Sequence, residues 1–162
     1  MTNPIYLDYN ATTPIAPEVL DAMLPWLREE FGNPSSAHAF GRRTAQAVAS
    51  ARRQVAELIG ASPQELVFTG CATEANNLAL LGTARAVVES GSSKRHLVVS
   101  AVEHPAVMAP AMQLRAQGWN VTVVPVDAFG RVAADDVIAA LQDDTVLVSV
   151  MHANNEVGTV QP

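Results

Sequence analysis

Three short stretches hold most of the residues that could do chemistry. Thr69-Gly70-Cys71-Ala72-Thr73-Glu74-Ala75-Asn76-Asn77 runs from the end of a β-branched and aromatic segment into helix formers. A strand-to-helix turn of this kind aims unpaired backbone N–H groups, the positive end of the helix dipole and the Thr69 and Thr73 hydroxyls toward one point, where a phosphate fits. The stretch follows neither the dinucleotide-binding nor the P-loop pattern, so on its own it reads equally as a plain turn. Ser100-Ala101-Val102-Glu103-His104-Pro105 brings an imidazole to a helix start. That ring can stack on a flat ligand or pass protons near neutral pH, or it can simply cap the helix. Met151-His152-Ala153-Asn154-Asn155-Glu156 offers Asn155, an amide able to bond an anionic oxygen or a hydroxyl, or to shape its own loop.

The remaining candidates are weaker. His38 and His152 read as packing or capping residues, and with His104 they lack the i, i+4 or carboxylate–histidine spacing of a metal site, so no metal is expected. Cys71 is the only cysteine. A thiol at a helix N-terminus is an imaginable nucleophile.

The elements that must position these groups follow an α/β rhythm. Leu66–Thr69, His96–Ser100, Val121–Pro125 and Thr145–Val150 are apolar, β-branched runs separated by helical segments at about 73–89, 105–117 and 134–141. Runs without polar alternation indicate strands covered on both faces, as in a parallel sheet with crossover helices. Ligands of such sheets sit beyond the carboxyl ends of the strands, where the three stretches fall. Upstream, residues 1–15 read as an extended arm and Pro17 opens an amphipathic helix to about Glu30, which Pro25 should bend or shorten. After the turn formers Gly32-Asn33-Pro34-Ser35-Ser36 comes a long helix, about 37–59, ended by Gly60. Its Arg42, Arg43, Arg52 and Arg53 read as a solvated face.

Composition bounds the possible functions. The chain has 162 residues, 49% hydrophobic and 16% charged, which suffices for a sizeable core. A net charge of −6 argues against direct nucleic-acid binding, which needs a positive surface to displace counterions. No apolar run approaches the ~20 residues of a membrane span, and a single cysteine suits a reducing compartment, so a cytoplasmic location is expected. The run 145–150 would leave an apolar sheet edge open, so the sequence reads as the front part of something longer.

Five blocks in unbroken order resemble the cysteine desulfurases, pyridoxal-phosphate enzymes of the class V aminotransferase group: residues 6–14, 31–36, 68–78, 103–104 and 151–158. The resemblance implies an α/β fold, the fold type I architecture of pyridoxal-phosphate-dependent transferases. Residues 1–15 would then be an arm of the small domain, and 16–162 an incomplete large domain with a mostly parallel sheet. It implies removal of sulfur from L-cysteine to give L-alanine and an enzyme persulfide for iron-sulfur cluster or thio-cofactor assembly, in a homodimer that serves sulfur-acceptor or scaffold proteins. By position, Ala72 and Thr73 would hold the phosphate of pyridoxal 5'-phosphate. His104 would stack on its ring and assist proton transfer, and Asn155 would contact the 3-oxygen of the ring.

One requirement is not met within this stretch. The cofactor's chemistry begins on a lysine, and Lys94 is the only one, against nine arginines. It precedes the run 96–100, about a strand length from the cradle and at the wrong end of a parallel sheet. The family's lysine, its aspartate partner of the pyridine nitrogen and its sulfur-accepting cysteine are expected after residue 162, so the 162 residues alone should be inactive. The alternatives are a non-catalytic or split-gene product that acts as a binding or dimerisation partner, and part of a selenocysteine lyase-like enzyme.

Overall fold

The computed structural model describes residues 4–162, which form two compact units divided after Phe68.

In the first unit an arm turns at Asp8, whose carbonyl accepts the Ala11 N–H at 3.1 Å, and the Tyr6 and Tyr9 rings meet edge to face. Helix α1 spans Pro17–Arg28 and α2 spans Ala39–Ile59. Pro17 opens α1 because its missing N–H would have had no acceptor there; the helix runs past Pro25 and ends one turn later. His38 caps α2, its Nδ1 facing the Gly41 N–H at 3.4 Å, and Gly60 ends the helix in the left-handed region at φ 68°. Gly41 is required by contact: a Cβ there would stand 2.1 Å from the Ser36 carbonyl oxygen, because the 33–36 turn folds tightly under the first turn of α2.

The second unit holds α3 (Ala72–Glu89), β1 (His96–Ser100), α4 (Pro105–Ala116), β2 (Asn120–Val124), α5 (Ala134–Ala140) and β3 (Thr145–Ser149). The strands form one parallel sheet in the order β2-β1-β3. All five residues of the central β1 are buried, as an unalternating apolar run requires. Crossover handedness accounts for the layers. The step from β1 to β2 goes one way and the step from β2 to β3 returns past β1, so right-handed connections put α4 and α5 on opposite faces. Leu97 and Val99 accordingly pack with Leu80 and Ala84 of α3 and Val107 and Leu114 of α4. Val98 packs on the other side with Val124, Val132 and, from α5, Val137. Buried His96 ties the three strands together: Nδ1 meets the Thr145 hydroxyl at 2.8 Å and Nε2 the Thr122 hydroxyl at 2.9 Å.

Two expectations are corrected. Leu66–Thr69 is not a strand: it joins no ladder among the described residues, and Val67 and Phe68 are exposed. A strand exists only through a hydrogen-bonded neighbour, which a run of β-branched residues does not guarantee. Nor is the arginine face of α2 wholly solvated. Arg52 is half-buried, donates to the Leu66 carbonyl and lies 4.7 Å from the Phe68 ring centre, fastening the segment that fails to pair. Arg43 pairs with Glu30 of the turn after α1.

Candidate functional site

The order β2-β1-β3 reverses between β1 and β3, and ligands of open parallel sheets bind beyond the carboxyl ends of strands at such a reversal. The segments leaving those two strands carry His104 and Asn155. Helix α3 leads back through a short loop to the start of β1 and packs on β1, so its N-terminus points toward the same carboxyl edge.

At that N-terminus Cys71 is the N-cap and makes no side-chain cap bond. The first-turn N–H groups, including those of Ala72 and Thr73, therefore keep no intrahelical acceptor, and both residues are exposed. Two donors beside them are engaged, one of them the Thr69 hydroxyl that the sequence reading aimed at the phosphate. The Thr69 hydroxyl donates to the Cys71 carbonyl at 3.1 Å, and the Gly70 N–H donates to the Glu74 carboxylate at 2.7 Å. The carboxylate lies at the positive end of the helix and takes one of the donors a phosphate would use. The donors left open for an anion at this end of α3 are thus the Ala72 and Thr73 amides and the Thr73 hydroxyl.

His104 is the N-cap of α4, with Pro105 at the next position; its Nδ1 accepts the Ala106 N–H at 3.0 Å. Capping and function are compatible here, because the bond uses one nitrogen. The neutral ring then carries its proton on Nε2, and the exposed imidazole is held by the helix it caps.

Asn155 is exposed, with its amide donating to Glu156 at 3.0 Å. Its loop is firmly built. Asn154 is buried; its Oδ1 accepts the Glu156 and Val157 N–H groups at 2.9 and 3.0 Å, and its amide donates to the Val102 carbonyl at 3.3 Å. Buried Gln161 accepts the Val132 N–H at 2.8 Å and donates to the Gly130 carbonyl at 2.9 Å, so the loop is tied to the turn after β2. Within that turn Asp127 accepts the Arg131 and Phe129 N–H groups, which hold its carboxyl below the usual aspartate range.

His38 caps α2, in keeping with its reading as a packing or capping residue, whereas His152 is exposed and neither packs nor caps a helix among the described residues. Among the described residues no group of three or more His, Cys, Asp or Glu is arranged to hold a metal ion. No helix among them is long and apolar enough to cross a membrane. A cavity of about 530 Å³ at the carboxyl edge is lined by Val102, Glu103, Phe129, Asn154, Val157 and Thr159. Ala72, Thr73, His104 and Asn155 do not line it and stand open on the surface. Lys94 is exposed before β1, at the amino edge of the sheet.

Sequence reasoning passed over Glu103 and Asn154, which do most of the bonding here. The available signal was a carboxylate between a strand end and a histidine, with serines closing both β1 and β3.

The family model for Aminotransferase class-V matches residues 5–162. A cysteine desulfurase IscS of Dictyoglomus turgidum is 49% identical over 162 residues, which cover 100% of this chain and 40% of that protein. Among solved structures, a NifS-like protein superposes with a TM-score of 0.92 at 41% identity, over 98% of this chain and 43% of that one. A structure described as SspA in complex with cysteine superposes at 0.90 and 41% identity, over 97% of this chain and 44% of that one. The chain spans about 40% of the length of the curated relatives it matches.

Proposed function

The chain belongs to the class V aminotransferase family, and from that premise we propose that it is the N-terminal part of a cysteine desulfurase. The reaction converts L-cysteine and an enzyme thiol into L-alanine and an enzyme persulfide. The carbon–sulfur bond of the substrate breaks, and its sulfur joins the thiol. Pyridoxal 5'-phosphate supplies an electron sink for bonds at the α-carbon of the bound amino acid.

The residues present fit that cofactor. Ala72 and Thr73 offer first-turn amides and a hydroxyl to the phosphate at the positive end of α3. His104 offers a ring face for stacking and an Nε2 that can hold or release a proton. The Asn155 amide suits the 3-oxygen, provided that it leaves Glu156. The single observation that carries the reading is the adjacency of β1 and β3, whose neighbouring carboxyl ends bear His104 and the Asn155 loop.

On this reading the cofactor-bearing lysine and the sulfur-accepting cysteine belong to segments outside residues 1–162, because Lys94 is on the far edge of the sheet and Cys71 belongs to the cradle. Residues 1–15 belong to the small domain and 16–162 to the large one. The complete protein works in the cytoplasm as a homodimer and passes its sulfur to an acceptor or scaffold protein for iron-sulfur cluster or thio-cofactor assembly. The test is alanine release: the complete protein, loaded with pyridoxal 5'-phosphate and given L-cysteine and a thiol reductant, should yield alanine and sulfide in equal amounts. Absence of alanine, or turnover of selenocysteine alone, would reject the reading.

A further inference from the structure

We propose that Glu103 is a positioning residue, the brace that fixes His104 and the Asn155 loop relative to each other; the inference rests on the desulfurase reading. The ladder between β1 and β3 ends at Val99 and Ser149, and beyond it no backbone pairing among the described residues holds the two departing segments together. Glu103 takes over at that point. Its Oε1 accepts the Ser100 hydroxyl at 2.8 Å and the Met151 N–H at 2.6 Å, and its Oε2 faces the Ser149 hydroxyl at 3.4 Å. One half-buried carboxylate thus joins the last residue of β1, the last residue of β3 and Met151 at the start of the Asn155 loop. A reciprocal tie lies beside it: Asn154 donates back to the Val102 carbonyl at 3.3 Å.

The residue type fits the task. An ionised carboxylate is acceptor-only with several lone-pair sites, and here three donors converge on it. Oε1 is engaged by two of the protein's own donors and Oε2 faces a third, so Glu103 is assigned a role through geometry, and proton handling is left to its exposed neighbour His104. The bonds also specify which substitutions the brace tolerates. Glutamine keeps an oxygen for Ser100 and Met151 and turns its amide to the Ser149 hydroxyl, which can accept. Aspartate keeps the charge but is one methylene short.

The experiment compares Glu103→Ala, Glu103→Asp and Glu103→Gln in the complete protein. It measures amide hydrogen exchange over residues 149–156 without cofactor, and the affinity and absorbance spectrum of bound pyridoxal 5'-phosphate. In E103A and E103D exchange should rise about tenfold and cofactor affinity fall about tenfold, with an altered spectrum, while E103Q stays within about threefold of the parent. The proposal is overturned if E103D matches the parent in exchange and affinity, or if E103Q is as impaired as E103D. Should E103A fail to fold, the aspartate and glutamine variants still decide. Failure of the parent protein itself to bind pyridoxal 5'-phosphate would reject the desulfurase reading, and the exchange comparison would still judge the brace.

Discussion

Lys94 and His104 flank the same strand from opposite ends, with β1 between them. Its five residues rise about 17 Å, so a ligand resting on His104 is out of reach of the Lys94 amine. Lys94→Ala in the complete protein should therefore leave cofactor attachment and alanine release within about twofold of the parent, the usual scale for a surface change distant from a site. Borohydride reduction followed by peptide mapping checks this, and a reduced cofactor adduct on Lys94 would refute it.

His104 caps α4, and on the desulfurase reading its ring also serves the cofactor; the two uses can be separated. Removing a general acid–base group costs about 10²-fold in rate, whereas losing a cap costs about 1 kcal/mol of stability. His104→Asn, which can still cap α4, should lower kcat by that order with an unfolding temperature near the parent's. His104→Ala should lose both. A parent-like kcat in the asparagine variant would remove His104 from the chemistry.

Cys71 makes no cap bond in the position that opens α3. Serine is a preferred residue there, so Cys71→Ser should stabilise the fold slightly, by up to about 1 kcal/mol, and persulfide should still form. Thermal unfolding and persulfide labelling measure the two effects. Loss of persulfide with the cofactor still bound would make Cys71 the sulfur carrier instead.

Asp127 sets an acid limit. Its folded-state affinity for a proton is lowered by the Arg131 and Phe129 N–H groups, so the unfolded chain binds that proton more readily. Its contribution is full above the ordinary aspartate range and fades as pH falls through the lower folded value. Unfolding temperature followed from neutral to acid pH should fall less steeply in Asp127→Asn. Parallel curves for the two proteins would refute the assignment.

Punctuation made the helices legible. Pro17, Gly60 and Pro105 mark ends that the structure reproduces, and the runs beginning at His96, Val121 and Thr145 match strands to within a residue or so. The expected positions of His104 and Asn155 after β1 and β3 also followed from the rhythm of runs and helices. What stayed hidden depended on approach across the chain. Whether Leu66–Thr69 pairs depends on a neighbour, and which arginine of α2 meets a carbonyl depends on where residue 66 passes. The demand for glycine at position 41 arises from a carbonyl five residues earlier that folds back onto it. Glu103 was in plain view beside His104, but its value comes from donors about 50 residues downstream, a relation visible only once β3 is laid beside β1.

The buried imidazole of His96 limits how these strands can be arranged. Asn120–Val124 and Thr145–Ser149 are both short, β-branched runs, and apolar burial by itself is a non-directional guide to how each is set against β1. A ring with both nitrogens out of water is more exacting, because an unmet nitrogen there costs about 1–3 kcal/mol. In the native arrangement Thr145 stands on one side and Thr122 on the other, and both nitrogens are answered. His96 thus ties the native register of both flanking strands to the bonding of one buried ring, a constraint that apolar burial alone does not supply.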